Sequence, residues 1–190
     1  MRDPSGCRDT YTQLCYGEKP PFAGFLPGIA GERGIPVWCY TCNRGQGVAG
    51  FGLRDKDHAV MEFSPAHTAY QNTRYKGFRT FLKYGGQVIE AFEDRKSTMY
   101  IRPNELEISW QNDDFRVDVV YFTVPSWRLG ALARQVRVTN ISGIPQVLTL
   151  LDGLPAVVCA GVGQDALKNM AQLSKAWMQV EDSDTPPFIP

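Results

Sequence analysis

The stretch Phe115–Val124, with the sequence FRVDVVYFTV, decides the fold class. Its apolar residues at positions 115, 117, 119 and 121 recur at every second position, with Arg116 and Asp118 between them. This period of two is typical of a β-strand, because successive side chains of a strand point to opposite faces. Val120 and Phe122 then make the second face apolar too, so we expect the end of this strand to be buried on both sides.

The same alternation recurs from residue 36 onward, as in ELEISW at 105–110 and LARQVRVTN at 132–140. Turn-forming residues separate these segments, namely Gly85-Gly86, Pro103-Asn104, Asn112-Asp113-Asp114 and Ser142-Gly143. Gly, Asn and Asp adopt the positive φ angles that tight hairpins require. The sequence therefore predicts a mainly β protein, an antiparallel β-sandwich of about ten strands over residues 36–162.

Three segments fall outside this pattern. Residues 1–35 are rich in proline and glycine, and we expect them to form an irregular wrap on the surface. Residues 163–180 place their apolar side chains at helical spacing, which predicts one amphipathic helix near the C-terminus. Residues 181–190 are charged and proline-rich, as is typical of a tail or linker.

The charge balance argues against two classes of partner. Twenty Lys and Arg residues balance twenty Asp and Glu residues among the 190, without the basic block expected of a nucleic-acid binder. No apolar run reaches the roughly 18 residues that a membrane span needs, and the polar N-terminus lacks the apolar core of a signal peptide. We therefore expect a soluble, cytoplasmic protein with neither a nucleic-acid nor a membrane partner.

Cys39 and Cys42 form a C-x-x-C pair like those of redox and metal sites. They lie in a segment with strand character, where residues three apart project to opposite faces and cannot share a disulfide or a metal ion. The chain has five cysteines, an odd number, and its two histidines make no zinc spacing with them. We predict that both cysteines fill the core and that the chain has no metal site.

Gly45, Gly47 and Gly50 match the G-x-G-x-x-G pattern of dinucleotide-binding turns. Such a site needs a helix after the last glycine and an acidic residue about 20 positions further on. Here the following residues have no helical period, and the expected acidic residue is missing near Tyr70 and Gln71. We therefore predict a glycine-rich hairpin and no bound cofactor.

Three segments carry a resemblance to a known family: NRGQGVAGFGLRDKD at 43–57, GFRTFLK at 77–83 and TNISGIPQVLTLLDGLPA at 139–156. With their surroundings, over most of residues 20–160, they resemble the N-terminal part of glycoside phosphorylases of glycoside hydrolase family 94. The likeness is greatest to the branch of cellobiose phosphorylases and 1,2-β-oligoglucan phosphorylases.

The resemblance implies a large sandwich of the galactose-mutarotase-like kind, followed in the full enzyme by an (α/α)₆ barrel that carries catalysis. In such enzymes inorganic phosphate attacks the anomeric carbon of a β-glucoside with inversion, and an Asp of the barrel protonates the leaving oxygen. This chain has no counterpart of that barrel. We therefore expect a non-catalytic domain, inactive alone, without a cofactor, whose partners are an oligosaccharide or β-glucan and the missing barrel domain. Homo-oligomer formation stays open.

The candidate sugar-binding residues are the polar residues of the glycine-rich hairpin: Arg44, Gln46, Arg54, Asp55, Lys56 and Asp57. A solvated hairpin or an ion-pair cluster is the alternative for these residues. The carboxylates of FEDRK, NELE and QNDDF are typical of solvated turns.

The alternative function is a free-standing carbohydrate-binding or protein-interaction sandwich. A domain taken from a longer enzyme should expose an apolar face and unpaired strand edges. A free-standing module should instead have a closed surface with a patch of exposed aromatic residues.

Overall fold

The computed structural model describes residues 9–52, 59–61 and 66–155. In that part the chain forms three antiparallel sheets and one α-helix, which confirms the expected mainly β, antiparallel fold. In chain order the elements are β1 (Tyr11–Gln13), a 3₁₀ turn (Tyr16–Glu18), β2 (Ala23–Ala30), β3 (Ile35–Cys42), β4 (Val48–Gly52), β5 (Ala59–Met61), α1 (Ala66–Lys76), β6 (Arg79–Tyr84), β7 (Gln87–Glu90), β8 (Thr98–Arg102), β9 (Glu105–Gln111), β10 (Phe115–Val124), β11 (Ala131–Asn140) and β12 (Thr149–Gly153).

The twelve strands divide into sheets of five, four and three. The five-stranded sheet has the order β1-β8-β9-β10-β11, the four-stranded sheet β2-β3-β4-β5, and the three-stranded sheet β12-β6-β7. Most neighbours in the sheets are also consecutive in the chain, and connections of two to six residues join them as antiparallel pairs. The chain therefore builds each sheet largely from local pairings.

Strand β10 is the most extensively paired strand. It pairs with β11 from Phe115↔Asn140 to Val124↔Ala131, and with β9 on its other side. The face at positions 115, 117, 119 and 121 is buried, as its alternation predicts. Val120 and Phe122 on the opposite face are only half-buried, so the expected burial on both sides is incomplete. The principal core lies on the first face only, which explains the difference.

The principal core draws side chains from all three sheets. Cys39 comes from the four-stranded sheet and Leu82 from the three-stranded sheet, and most of the remainder comes from β8, β9 and β10. A second, smaller cluster of Tyr40, Cys42, Val48 and Ala69 lies between β3, β4 and α1. The two cysteines thus face different clusters as free thiols, which confirms that they fill the core.

Three of the four predicted turns join paired strands, whereas Ser142-Gly143 lies between β11 and β12, which belong to different sheets. Gly85 and Gly86 join β6 to β7 with φ angles of 53° and 79°, the left-handed region that a tight hairpin requires. Pro103-Asn104 joins β8 to β9. In the β9–β10 turn, the side-chain oxygen of Asn112 accepts hydrogen bonds from the backbone N–H groups of Asp114 and Phe115.

Residues 1–35 are more regular than we expected. Their described part contains β1, the 3₁₀ turn and β2, and β2 pairs with β3 from Ala23↔Cys42 to Ala30↔Ile35. Proline and glycine are usually disfavoured within strands, and this is why the sequence predicted an irregular wrap. Strand β2 lies at the edge of its sheet, and an edge strand tolerates Pro27 because one side of its backbone has no ladder to complete.

Helix α1 was not predicted. Its buried residues are Ala69 and Thr73, one turn apart, so the helix contacts the sheet through small side chains. Its sequence therefore shows only weak helical periodicity of apolar residues. The helix expected at 163–180, the tail at 181–190 and the end of the predicted sandwich at 156–162 lie outside the described residues. In the described part no helix has the length and apolar character to cross a membrane.

Gly47→Ala should destabilise the fold. A β-carbon at this position would lie 2.6 Å from Cys39 Sγ and 3.3 Å from the Tyr121 ring, both in the principal core. We expect a loss of about 1–3 kcal/mol in the free energy of unfolding, measured by urea denaturation, because packed cores resist added volume. Gly24→Ala is the matched control, since its β-carbon would meet only Thr41 Oγ1 at 3.4 Å. Equal stability of the two variants would contradict this packing.

The described cysteines should differ in reactivity. Burial raises the pKa of the Cys39 thiol to about 12 and also raises the pKa of Cys42, whereas Cys15 is partly exposed. At pH 8 both buried thiols stay protonated, so we expect iodoacetamide to label Cys15 first, as measured by peptide mass spectrometry. Because the folded-state pKa of Cys39 exceeds its ordinary value of 9.0, its contribution to stability is complete below pH 9 and is lost as the pH rises towards 12. Rapid native labelling of Cys39 would contradict its burial.

Candidate functional site

A polar cleft with a volume of about 550 Å³ lies among four segments of the chain. These are the 3₁₀ turn with Lys19, the β3–β4 turn at 43–46, helix α1 and the loop at 91–97 that joins β7 to β8. Its size is that of a site for a small molecule, on the order of 300–1,000 Å³. The segments are distant in sequence and meet only in the folded protein.

The wall formed by α1 and the β3–β4 turn holds Arg44 in place. Its guanidinium lies over the Tyr70 ring, 5.1 Å from the ring centroid, and Nη1 donates a 3.3 Å hydrogen bond to the Tyr70 carbonyl. The Tyr70 hydroxyl donates to Asn43 Oδ1 at 3.0 Å, and Asn43 Nδ2 donates to the Lys19 carbonyl at 2.9 Å. Arg44 is therefore oriented by its neighbours, although it remains exposed to solvent.

Two ion pairs lie along the cleft. Arg79 on β6 donates from Nε to Glu90 Oε1 at 2.7 Å and from Nη2 to Glu90 Oε2 at 2.6 Å. These hydrogen bonds raise the pKa of Arg79 above its ordinary value. Arg74 on α1 lies 3.6 Å from Glu93, with both side chains more than half exposed. The first pair is a fixed bidentate contact, and the second is a weak surface pair.

The loop at 91–97 has a constrained backbone. Phe92 and Arg95 have φ angles of 71° and 60°, in the left-handed region that large residues rarely adopt. The Phe92 side chain is anchored in the principal core, and the backbone N–H of Tyr16 donates to the Ser97 carbonyl at 3.0 Å. A β-carbon on Gly17 would lie 2.6 Å from Arg95 Cα, so the 3₁₀ turn packs directly against the loop.

A buried polar network lies behind the cleft, and we call it the Arg134 network: Gln46, Thr80, Tyr121, Arg134 and Asp152. Arg134 Nη2 donates to Gln46 Oε1 at 2.8 Å and to Asp152 Oδ1 at 2.9 Å, and Nη1 donates to Asp152 Oδ2. Gln46 Nε2 donates to Thr80 Oγ1 at 2.9 Å, and Thr80 Oγ1 donates to Asp152 Oδ1 at 2.6 Å. Only 8% of the Arg134 side chain is exposed.

The network keeps Arg134 charged despite its burial. Burial alone lowers the pKa of Arg134, but hydrogen bonds to Asp152 and Tyr121 outweigh this effect and raise the pKa above its ordinary value. Burial also raises the pKa of Tyr121, whose hydroxyl stays protonated and donates to Gln46 Oε1 at 3.3 Å. The guanidinium also lies over the Phe78 ring, 4.6 Å from its centroid, in a cation–π contact.

Of the six candidate sugar-binding residues, two are described. Arg44 and Gln46 both line the cleft. Gln46 is only 4% exposed and its amide is bonded within the Arg134 network, so its principal role is structural. Arg54, Asp55, Lys56 and Asp57 lie outside the described residues.

The sequence missed most of the cleft. From the sequence we expected Lys19 in an irregular wrap, Tyr70 in a strand region and Arg95 in a solvated turn, but all three line the cleft. Among these residues, only the charges of FEDRK gave the sequence a sign of a binding site. The left-handed backbone of this loop packs against Gly17 of the 3₁₀ turn. Local patterns do not report such a contact.

The cleft offers charged and planar hydrogen-bonding groups next to aromatic rings, an arrangement suited to holding a polar small molecule. Among residues 9–52, 59–61 and 66–155, no group of three or more His, Cys, Asp and Glu side chains is placed to hold a metal ion. No protein-family model matches the chain, and no curated protein matches it.

Arg134→Met should strongly destabilise the protein. The substitution leaves Asp152, Gln46 and Thr80 without their shared donor behind the cleft. We expect a loss of about 1–3 kcal/mol in the free energy of unfolding, measured by chemical denaturation, because the buried Gln46 and Thr80 lose a charged donor and the partly exposed Asp152 loses its cation.

The control is Arg116→Met, which breaks the more exposed pair with Asp118 on β10. This change should cost about 1 kcal/mol or less. Similar losses in the two variants would show that the Arg134 network is not a special contributor to stability.

Proposed function

We propose that this chain is a non-catalytic β-sandwich domain of a glycoside phosphorylase similar to those of glycoside hydrolase family 94, and that it binds an oligosaccharide in the polar cleft. The observation that carries the proposal is where the three segments of the resemblance lie. The first contributes Arg44 and Gln46 to the cleft and the second contributes Phe78 and Arg79. The third contributes Asp152 to the network behind it. Two of the segments that resemble the family thus meet in the cleft, and the third meets them in the network behind it.

The chemistry of the cleft suits a sugar. Sugar hydroxyls both donate and accept hydrogen bonds, so they match a lining that combines donors such as Arg44, acceptors such as Glu90 and the amide of Asn43, which does both. Tyr75 also lines the cleft and is 72% exposed, which leaves an aromatic surface for the apolar face of a pyranose ring. The fixed positions of Arg44 and Tyr70 reduce the entropy lost on binding.

The open side of the sandwich favours a domain of a larger enzyme over a free-standing module. Within the described residues, β11 pairs with β10 alone, which leaves its outer edge unpaired. The nearby β11–β12 region exposes large apolar side chains: Ile144, Val147, Leu150 and Leu151, with Val147 92% exposed. Exposed apolar surface beside a long free edge is typical of a surface that a partner covers. In the proposed enzyme that partner is the remainder of the sandwich and the barrel domain.

The proposal is tested by titrating the labelled chain with cello-oligosaccharides and 1,2-β-oligoglucans in a two-dimensional NMR experiment. We expect shifts at Arg44, Tyr70 and Tyr75, and about tenfold weaker binding in Tyr70→Ala because the ring that supports Arg44 is lost. Tyr11→Ala on β1 is the control, since Tyr11 is exposed and lies outside the cleft lining.

Incubation of the chain with the same oligosaccharides and inorganic phosphate should release no glucose 1-phosphate, because the general acid belongs to the barrel in the family that the chain resembles. Release of glucose 1-phosphate would refute the non-catalytic role. A lack of shifts with every oligosaccharide would refute the binding role.

A further inference from the structure

The polar cleft has more cationic than anionic side chains. Its charged residues are Lys19, Arg44, Arg74, Arg79 and Arg95 against Glu18, Glu90 and Glu93. Two cations are paired, Arg79 with Glu90 and Arg74 with Glu93. The remaining three cations have no ion-pair partner among the described residues, and Glu18 is the one carboxylate left in the lining to balance them. The site thus holds an excess of positive charge.

We propose that the polar cleft binds an anionic sugar, one that carries a phosphate ester or a carboxylate, and that Arg95 and Lys19 receive its anionic group. The inference rests on the proposed carbohydrate-binding function and adds the class of sugar. Arginine presents several N–H donors in a planar fork that matches the oxygens of both anions. Electrostatic attraction to the excess positive charge favours an anionic sugar over a neutral one.

The backbone brings these two cations to the same side of the cleft. Gly17 packs against Arg95 Cα, and Lys19 follows two residues later, at the end of the 3₁₀ turn. The Lys19 carbonyl is fixed by Asn43 Nδ2, and the Ser97 carbonyl is fixed by the Tyr16 N–H. The left-handed conformation of Arg95 is retained because these contacts hold it, and strained residues of this kind concentrate at binding sites.

An independent observation points to a ligand at this wall. Ser97 lines the cleft and is only 3% exposed, and its buried hydroxyl oxygen has no hydrogen-bond partner in the structure. A buried hydroxyl without a partner is costly, and such groups in a folded protein require an explanation. The hydroxyl oxygen is closed off from solvent, so an oxygen of a bound anion would accept its hydrogen after a small shift of the loop at 91–97. Ser97 lies two residues after Arg95, on the same loop.

The experiment measures the affinities of the chain for glucose, glucose 6-phosphate and glucuronate by NMR titration at low salt. We expect at least one anionic sugar to bind about tenfold or more tightly than glucose, and this advantage to shrink in 1 M NaCl. A preference for glucose 6-phosphate would identify a phosphate ester as the anion, and a preference for glucuronate would identify a carboxylate.

Arg95→Asn should weaken binding of the anionic sugar about tenfold more than it weakens binding of glucose. Asparagine tolerates a positive φ angle, so the loop keeps its conformation. Lys96→Asn is the matched control, because it removes the same charge from the adjacent exposed residue, which does not line the cleft. Lys19→Asn, at the end of the neighbouring 3₁₀ turn, gives the same test without touching the constrained loop.

The outcomes separate this inference from the proposed function. Equal affinity for glucose and both anionic sugars, with intact oligosaccharide binding, would overturn the anionic class and leave the proposed function standing. Tight binding of an anionic sugar that is unaffected by both Arg95→Asn and Lys19→Asn would overturn the assigned residues. Failure of every neutral β-glucan oligosaccharide to bind, with an anionic sugar bound through Arg95, would support this inference and refute the proposed function.

Discussion

The fold depends on one buried guanidinium. Arg134 lies on β11 of the five-stranded sheet and bonds to Asp152 on β12 of the three-stranded sheet and to Gln46 in the turn of the four-stranded sheet. A charge that leaves water is tolerated only where its partners are in place. The principal core brings side chains of the three sheets together, and the directional bonds of Arg134 add a polar connection between the same sheets. The register Asp152↔Thr80 places both acceptors on the same face of the sheet.

The polar cleft lies directly in front of the Arg134 network and shares Gln46 with it. The turn that supplies Gln46 to the network also presents Arg44, and close packing fixes its position together with the hydrogen bonds of Asn43 and Gln46. Gly47 leaves no room for a β-carbon against Cys39, and a β-carbon on Gly77 would lie 2.5 Å from the Thr73 carbonyl at the end of α1. The glycine pattern that resembles a nucleotide-binding turn therefore serves close packing, and the packing sets the shape of the wall.

The strands that complete the network are also the open edges of their sheets. Arg134 lies on β11 and Asp152 on β12, and each strand has one neighbour in the described residues. About a fifth of the Asp152 side chain is exposed. A partner that covers these edges in the proposed enzyme would remove the remaining water from the ion pair and strengthen it, because the pair is already complete and well oriented. Covering the open edges in the proposed enzyme would therefore also make the network behind the cleft more rigid.

The sequence by itself determined the antiparallel β class, the hairpin turns at 85–86, 103–104 and 112–114, and the placement of Cys39 and Cys42 on opposite faces. Each of these follows from a local rule of alternation or turn chemistry. Strand β2 and helix α1 escaped prediction, since edge position allows Pro27 in a strand and a helix that packs through Ala69 has no strong apolar period. Only the tertiary structure assembled the cleft and the Arg134 network, because their members lie far apart in the chain and a buried charge is stable only when long-range partners meet.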